Sequence, residues 1–400
     1  MSQAKVVYES SGQSLLKYAV AVTIFLGMFF WVDNLYMAFW LRRFFVGLAG
    51  VLAISYLGLY RRDILASATR QKLLVTLLLT TTIFLFITSP VRSALYGYPL
   101  VHPSLLSLYA SVAIGLFLTC LPVRRVLEYI FHGTVIWAIG NFIFWLLDTH
   151  ATMRLGFLDS QVIYAACVFA IGVLLGLWHY RYGKLPTRYV RIATGFLLLC
   201  LLLTQTRSAI VLLVVIVLWK FTGSVRRHWH KTLALITGFL VAAVLLGGYF
   251  GRLYDVSYLG ESVEYRLNLV QASMPKDTGS LLIGEGVGSI ERNIQENSKS
   301  YPLLAPDIQD GIRFESSHNY AVDLLVERGI IVTGLYIGLC VLALRRRYTV
   351  SSPKGIVQAI AIFLALFLAV NNINIQMEMS LWVCILYLVR ANSSKKLDNA

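Results

Sequence analysis

The sequence predicts an all-α polytopic membrane protein of about 12 transmembrane helices with one large loop outside the cytoplasm. Three observations carry that expectation. Hydrophobic residues make up 58% of the 400 positions against 14% charged, too few charges to coat a soluble domain of this length. The apolar residues form charge-poor blocks of about 17–25, the length a helix needs to cross a bilayer. Lys and Arg gather in alternate spacers between those blocks, as in cytoplasmic loops. Such blocks must be helical in lipid, where each unpaired backbone group costs several kcal/mol. A β-barrel would need alternating stretches of about ten residues, and Ile210–Leu218 does not alternate.

Taken in order, the first span is expected at 15–32. It follows a polar start, Met1–Gln13, that lacks a small-residue cleavage site, so it reads as a retained span rather than a removed leader. Further spans are expected at 44–60, 72–88, 104–121, 126–147 and 161–178. The next apolar stretch, 190–221, is too long for one crossing, and the polar Thr204–Ser208 in its middle divides it into 190–204 and 207–221, two helices meeting at a membrane surface. A ninth span at 232–250 completes a first unit, 1–250. The loop 251–318 follows, then three spans at 319–344, 355–371 and 374–390, and a short polar tail, 391–400.

Orientation follows from the basic residues. One set of spacers holds Arg61, Arg62, Arg70 and Lys72, then Arg124 and Arg125, then Arg181, Lys184 and Arg188. It continues through Arg226, Arg227 and Lys231, then Arg345–Arg347 and Lys354, to Lys395 and Lys396. The opposite set is poorer, so both termini are expected in the cytoplasm. The net charge of +15 is spread over these spacers instead of one soluble patch, so the bilayer is the expected partner and nucleic acid is not. The five cysteines all lie inside apolar runs without a CxxC pair or a Cys/His cluster, which implies neither disulfides nor zinc.

The loop contains half of the acidic residues, and loops this long in compact proteins are usually functional. A helix is expected over Gly260–Met274, where Val263, Leu267, Val270 and Met274 share a face. The run Gly284-Glu285-Gly286-Val287-Gly288 lacks the Lys-Ser/Thr of a phosphate loop and reads as a turn. Glu261 and Glu264, on neighbouring turns, supply no cleft for a glycosidase pair and read as partners of Arg266 or as surface charges.

Three positions could carry chemistry. His318, in Ser316-Ser317-His318-Asn319-Tyr320, stands where the loop re-enters the membrane. It is either a structural histidine satisfied by a carbonyl or a neutral imidazole able to accept a proton at a dry–wet boundary. Arg207, in Thr204-Gln205-Thr206-Arg207-Ser208-Ala209, breaks the positive-inside trend. It either snorkels to the interface or binds an anion with its planar fork. Arg266, on the expected loop helix, is either a surface charge or a second anion ligand. No Asp-x-Asp arrangement or His/Glu cluster points to a catalytic metal, and no cofactor is expected.

Together these stretches resemble the O-antigen ligase/polymerase superfamily of bacterial inner-membrane proteins. The family's mark is a His followed by Asn, Ser or Gln, then nine residues, then Gly-x-x-Gly. Here His318-Asn319 is followed by Tyr320 to Arg328 and then Gly329, whereas position 332 is Val and the next glycine is Gly334. The Thr-Gln-Thr-Arg-Ser-Ala stretch resembles the family's arginine motif, and Arg266 resembles its second arginine. The resemblance implies a GT-C-type glycosyltransferase membrane fold with its active site on the periplasmic face. It implies transfer of O-antigen from undecaprenyl diphosphate to lipid A–core, metal-independent and inverting. His318 would be the general base, Arg207 and Arg266 would bind the diphosphate, and Asn319 would support them. An O-antigen polymerase and an oligosaccharyltransferase are the alternatives within the superfamily. A transporter is the alternative outside it, with Asp323, Glu327 and Glu378 as its candidate intramembrane charges.

Overall fold

The computed structural model describes residues 48, 51, 52, 55, 123–147, 155, 158–227, 256–276, 278–286, 288–304, 317–345, 348–371, 380, 381, 384, 385, 387 and 388. The spans expected at 15–32, 72–88, 104–121 and 232–250 lie outside these residues, as do most of those at 44–60 and 374–390 and the tail. The described chain forms α1 (Val123–Leu147), α2 (Leu158–Tyr182), α3 (Thr187–Leu203) and α4 (Arg207–Arg227). After these come α5 (Val256–Ser273), α6 (Ser289–Asn297), α7 (Tyr320–Leu344) and α8 (Pro353–Leu368). Among the described residues there is no strand, and α1 and the Val162–Tyr182 stretch of α2 are long and apolar enough to cross a membrane. These features fit a helical membrane protein.

α2 is the central helix. It packs against α1, α3, α4 and α8, and 78% of its most apolar window is buried against 33% for α1. Its glycines permit the contact with α3. A Cβ at Gly172 would lie 2.9 Å from Leu197 Cδ1, and one at Gly176 would overlap Thr194. Small residues four apart are what let helices approach in lipid, where no hydrophobic drive joins them. Phe131, Phe169, Trp178, Leu197 and Phe363 fill the core around this crossing. Ile136, Ile139, Val211, Val215, Ile337 and Val341 stay exposed on outer faces, which suits an apolar solvent.

Helix ends follow local chemistry. α8 starts with Pro353 in its first turn, and the Ser352 hydroxyl accepts the Gly355 N–H at 3.1 Å. The long apolar stretch 190–221 divides as expected, with α3 ending at Leu203 and α4 starting at Arg207.

The loop forms a small unit of its own. α5, a 3₁₀ turn (Thr278–Leu282) and α6 enclose Leu269, Ala272, Ile290, Ile294 and Leu304 together with Val326 of α7. The expected loop helix exists, but its packing face is only partly the one expected. Met274 packs against the core, whereas Val263 and Leu267 are exposed, and the fully buried positions are Leu269 and Ala272 with Tyr265 beside them. The reason is the partner: α6 offers Ile290 and Ile294 to the Leu269 side.

The span expected at 319–344 is interrupted. Gly329 takes φ 80° and ψ 172°, which splits α7 into two helical stretches. The break frees the carbonyls of Val326 and Glu327, and the glycine-rich turn takes them: Glu285 N–H donates to Val326 O at 2.8 Å and Gly286 N–H to Glu327 O at 3.0 Å. The two backbones touch because neither contact residue has a side chain. A Cβ at Gly329 would lie 2.5 Å from Gly284 N, and one at Gly284 would lie 2.5 Å from Glu327 O. The sequence reading of 284–288 as a turn holds, and its task is to dock the loop on α7.

Candidate active site

Two of the stretches singled out in the sequence share a rare backbone feature. Among the described residues, Gln205 (φ 53°) and His318 (φ 61°) are the non-glycine residues with left-handed backbone. Such positions cost on the order of 1–3 kcal/mol and cluster at functional sites.

The first turn joins α3 to α4. Thr204 ends α3, and its hydroxyl donates to Leu201 O at 2.6 Å. Gln205 N–H donates to Leu202 O at 2.9 Å, and Thr206 N–H donates to the Thr204 hydroxyl at 3.3 Å. Thr204, Gln205 and Thr206 are all buried. Arg207 is therefore the first residue of α4, where the helix dipole adds positive potential. Its Nη2 is buried without a hydrogen-bond partner among the described residues. A guanidinium at a helix N-terminus, with one nitrogen uncommitted, has the chemistry to bind an anion.

The second arginine approaches from the loop. Arg266 of α5 donates from Nη1 to Val370 O at 2.9 Å. The neighbouring Asn371 donates from Nδ2 to Phe367 O at 2.8 Å and accepts from the Ser208 hydroxyl at 3.1 Å. The turn after α8 thus anchors both the first turn of α4 and the Arg266 side chain. Asn371 is 1% exposed, and sequence reasoning missed it: one asparagine at a span end carries no distinguishing signal.

His318 sits before α7. Asn319 caps that helix, its Oδ1 accepting from Ala321 N–H at 3.1 Å and Val322 N–H at 3.3 Å. Its side-chain oxygen thus fixes the start of the helix that follows His318. Burial, and after it the positive charge of Arg266, push His318 from its ordinary 6.5 down to about 4. The imidazole is neutral at physiological pH, and the fold brings it within electrostatic reach of Arg266. Glu264, on the same helix as Arg266, is exposed. Asp323 and Glu327, weighed as transporter charges, are engaged in the loop junction: Asp323 Oδ1 accepts from Ser317, and Glu327 Oε1 accepts the Gly288 N–H at 2.8 Å.

The Gly329 position of the His motif is explained by the kink, whereas Val332 is buried and a Cβ at Gly334 would meet nothing within 4 Å. His132 bonds the Tyr189 hydroxyl at 2.8 Å, away from these residues. Beside Tyr320 an apolar cleft of about 460 Å³ opens between α7 and α8, lined by Tyr336, Ile337, Cys340 and Leu344 among others.

A family model described as O-antigen ligase matches residues 192–337. No curated protein matches the chain. The matched segment runs from α3 into the second stretch of α7 and takes in Arg207, Arg266, His318 and Gly329. The resemblance read from the sequence is upheld over the segment that carries all its motifs.

Proposed function

We propose that this protein is an O-antigen ligase, a twelve-span enzyme of the bacterial inner membrane that works on the periplasmic face. It transfers O-antigen from undecaprenyl diphosphate to an outer-core sugar of lipid A–core. The observation that carries this reading is a half-buried His318 whose neutral form is favoured, within electrostatic reach of Arg266 and inside a segment that matches the ligase family model.

The chemistry follows from the residues. The acceptor hydroxyl attacks the anomeric carbon, forming the new glycosidic C–O bond while its proton passes to His318. The bond from the anomeric carbon to the diphosphate oxygen breaks, and undecaprenyl diphosphate leaves with the electron pair. Arg207 and Arg266 meet the charge that develops there. The free Nη2 of Arg207 and the α4 N-terminus favour such a group. One displacement inverts the anomeric centre, and the two guanidinium groups supply the positive charge a divalent metal supplies elsewhere. A neutral base contributes about 10²–10⁴-fold. Lipid-anchored substrates need an apolar surface beside the chemistry, and the cleft next to Tyr320 offers one.

The test is a lipopolysaccharide gel after mixing purified protein with lipid-linked O-antigen and lipid A–core in EDTA. Wild type is expected to form a ladder that His318→Ala does not form. A His318→Ala protein that ligates at the wild-type rate removes His318 as the base. A folded wild type that forms no ladder shifts the reading to a polymerase or a transporter.

A further inference from the structure

We infer that Asp323 and Ser317 are the positioning pair of this site: Asp323, acting through Ser317, holds His318 in its left-handed backbone conformation. The inference rests on the reading of His318 as the base. Asp323 Oδ1 accepts both the Ser317 N–H at 2.9 Å and the Ser317 hydroxyl at 2.5 Å. That hydroxyl also lies 3.2 Å from Asn319 O and 3.3 Å from Asn319 N, so it touches the backbone on the far side of His318. Asp323 N–H in turn donates to Asn319 O at 2.9 Å. The residues either side of His318 are therefore pinned to one carboxylate a turn into α7, and His318 between them is left with φ 61°.

An L-residue leaves the left-handed region unless its surroundings over-determine it. Asp323 is 1% exposed and Ser317 is fully buried. Burying a carboxylate is costly; here the first turn of α7 favours its charge and it accepts two bonds from Ser317. Its place in the chain also fits. The next turn of α7 carries Val326 and Glu327, whose carbonyls hold the loop, so one short helical stretch fixes both the histidine and the loop that brings Arg266.

The test is steady-state transfer by the full-length protein in detergent, from lipid-linked O-antigen to lipid A–core, for wild type, His318→Ala, Asp323→Ala, Asp323→Asn and Ser317→Ala. Misplacing a reacting group by about 1 Å costs about 10²-fold. Asp323→Ala is expected to lower kcat by about that factor while KM stays within about two-fold of wild type. Asp323→Asn keeps an acceptor oxygen for Ser317 and is expected to recover most of the lost rate, and Ser317→Ala to lose about ten-fold. Wild-type kcat in Asp323→Ala beside an inactive His318→Ala overturns the positioning role and leaves the base intact. A raised KM at unchanged kcat overturns it as well, because that marks a binding residue. If Asp323→Ala does not fold, Ser317→Ala decides alone, and a wild-type rate there overturns the proposal. Equal transfer by His318→Ala and wild type overturns the base reading and this inference with it.

Discussion

The two left-handed turns at Gln205 and His318 are alike in φ but are held by different means. Across the Gln205 turn the backbone bonds are short-range, to Leu202 and from Thr206 to Thr204, while Leu155 N–H on Leu203 O and the Ser208 hydroxyl on Asn371 brace the two helix ends from outside. The His318 turn is closed from Asp323, a turn inside the next helix, and that helix is in turn braced by the loop through Val326 and Glu327. A local closure survives disturbance elsewhere in the molecule. A remote closure makes His318 depend on the loop being docked, which would couple the base to the segment that brings Arg266.

Breaking the docking has the largest expected effect on this contrast. Gly329→Ala places a Cβ 2.5 Å from the Gly284 nitrogen and holds an L-residue at φ 80°. Left-handed strain and overpacking together cost about 2–5 kcal/mol. The loop is expected to loosen, with faster hydrogen exchange over 278–297 and a transfer loss of at least about ten-fold, one decade for each 1.36 kcal/mol. Exchange at 204–206 is expected to stay as in wild type. Gly334→Ala, where a Cβ meets nothing within 4 Å, is the control and is expected within about 0.5 kcal/mol of wild type. Equal loosening at both turns would show that their supports are not separate.

A smaller effect sharpens the electrostatic side. His318 has a folded value of about 4 against its ordinary 6.5. Its folded value is depressed, so the neutral form is the one the fold prefers. Stability is full above about 6.5 and is lost as pH falls toward about 4, where protonation also removes the base. The profile of kcat/KM is expected to be flat from pH 7 to about 5 and to fall below that. Arg266→Gln removes the charge that contributes to the depression, so the fall is expected to begin at higher pH, still below 6.5 because burial remains. Overlapping profiles for the two proteins would separate Arg266 from His318.

How much was readable before the fold was known follows the same division between local and remote. The break between α3 and α4 was legible because the polar Thr204–Ser208 interrupts an apolar run within a few residues. The glycine-rich turn was legible for the same reason, since it lacks the residues of any other device. The kink at Gly329 was not, because its cause lies in the approach of Gly284 from another part of the chain. The packing face of α5 was legible only in part: Met274 packs as expected, but the burial of Leu269 and Ala272 in place of Val263 and Leu267 depends on Ile290 and Ile294 of α6, which periodicity along α5 cannot register. Asp323 read as a charge near a span end, and Asn371 drew no notice. Each gains meaning only from a partner, Ser317 for one and Ser208 for the other. His318, Arg207 and Arg266 were singled out from motif and position, but the nearness of His318 to Arg266 needed the fold.

The finest test compares glycine and alanine at each turn. Glycine takes left-handed φ without the steric cost of about 1–2 kcal/mol that a Cβ brings, while its extra unfolded-state entropy returns about 0.5–1 kcal/mol of that. Where the conformation is enforced, glycine is therefore expected to exceed alanine in stability by about 0.5–1 kcal/mol. His318 is enforced by Asp323, so His318→Gly is expected to melt above His318→Ala by that full margin, with both inactive in transfer. At Gln205 the turn is closed by the ends of α3 and α4 themselves, and an alanine can relax by extending α3 one residue, so the margin between Gln205→Gly and Gln205→Ala is expected to be smaller. Thermal denaturation of the four variants in one detergent reads both margins. A larger margin at Gln205 than at His318 would mean that the local closure is the stiffer one, and that the left-handed histidine owes its conformation to something other than the Asp323 carboxylate.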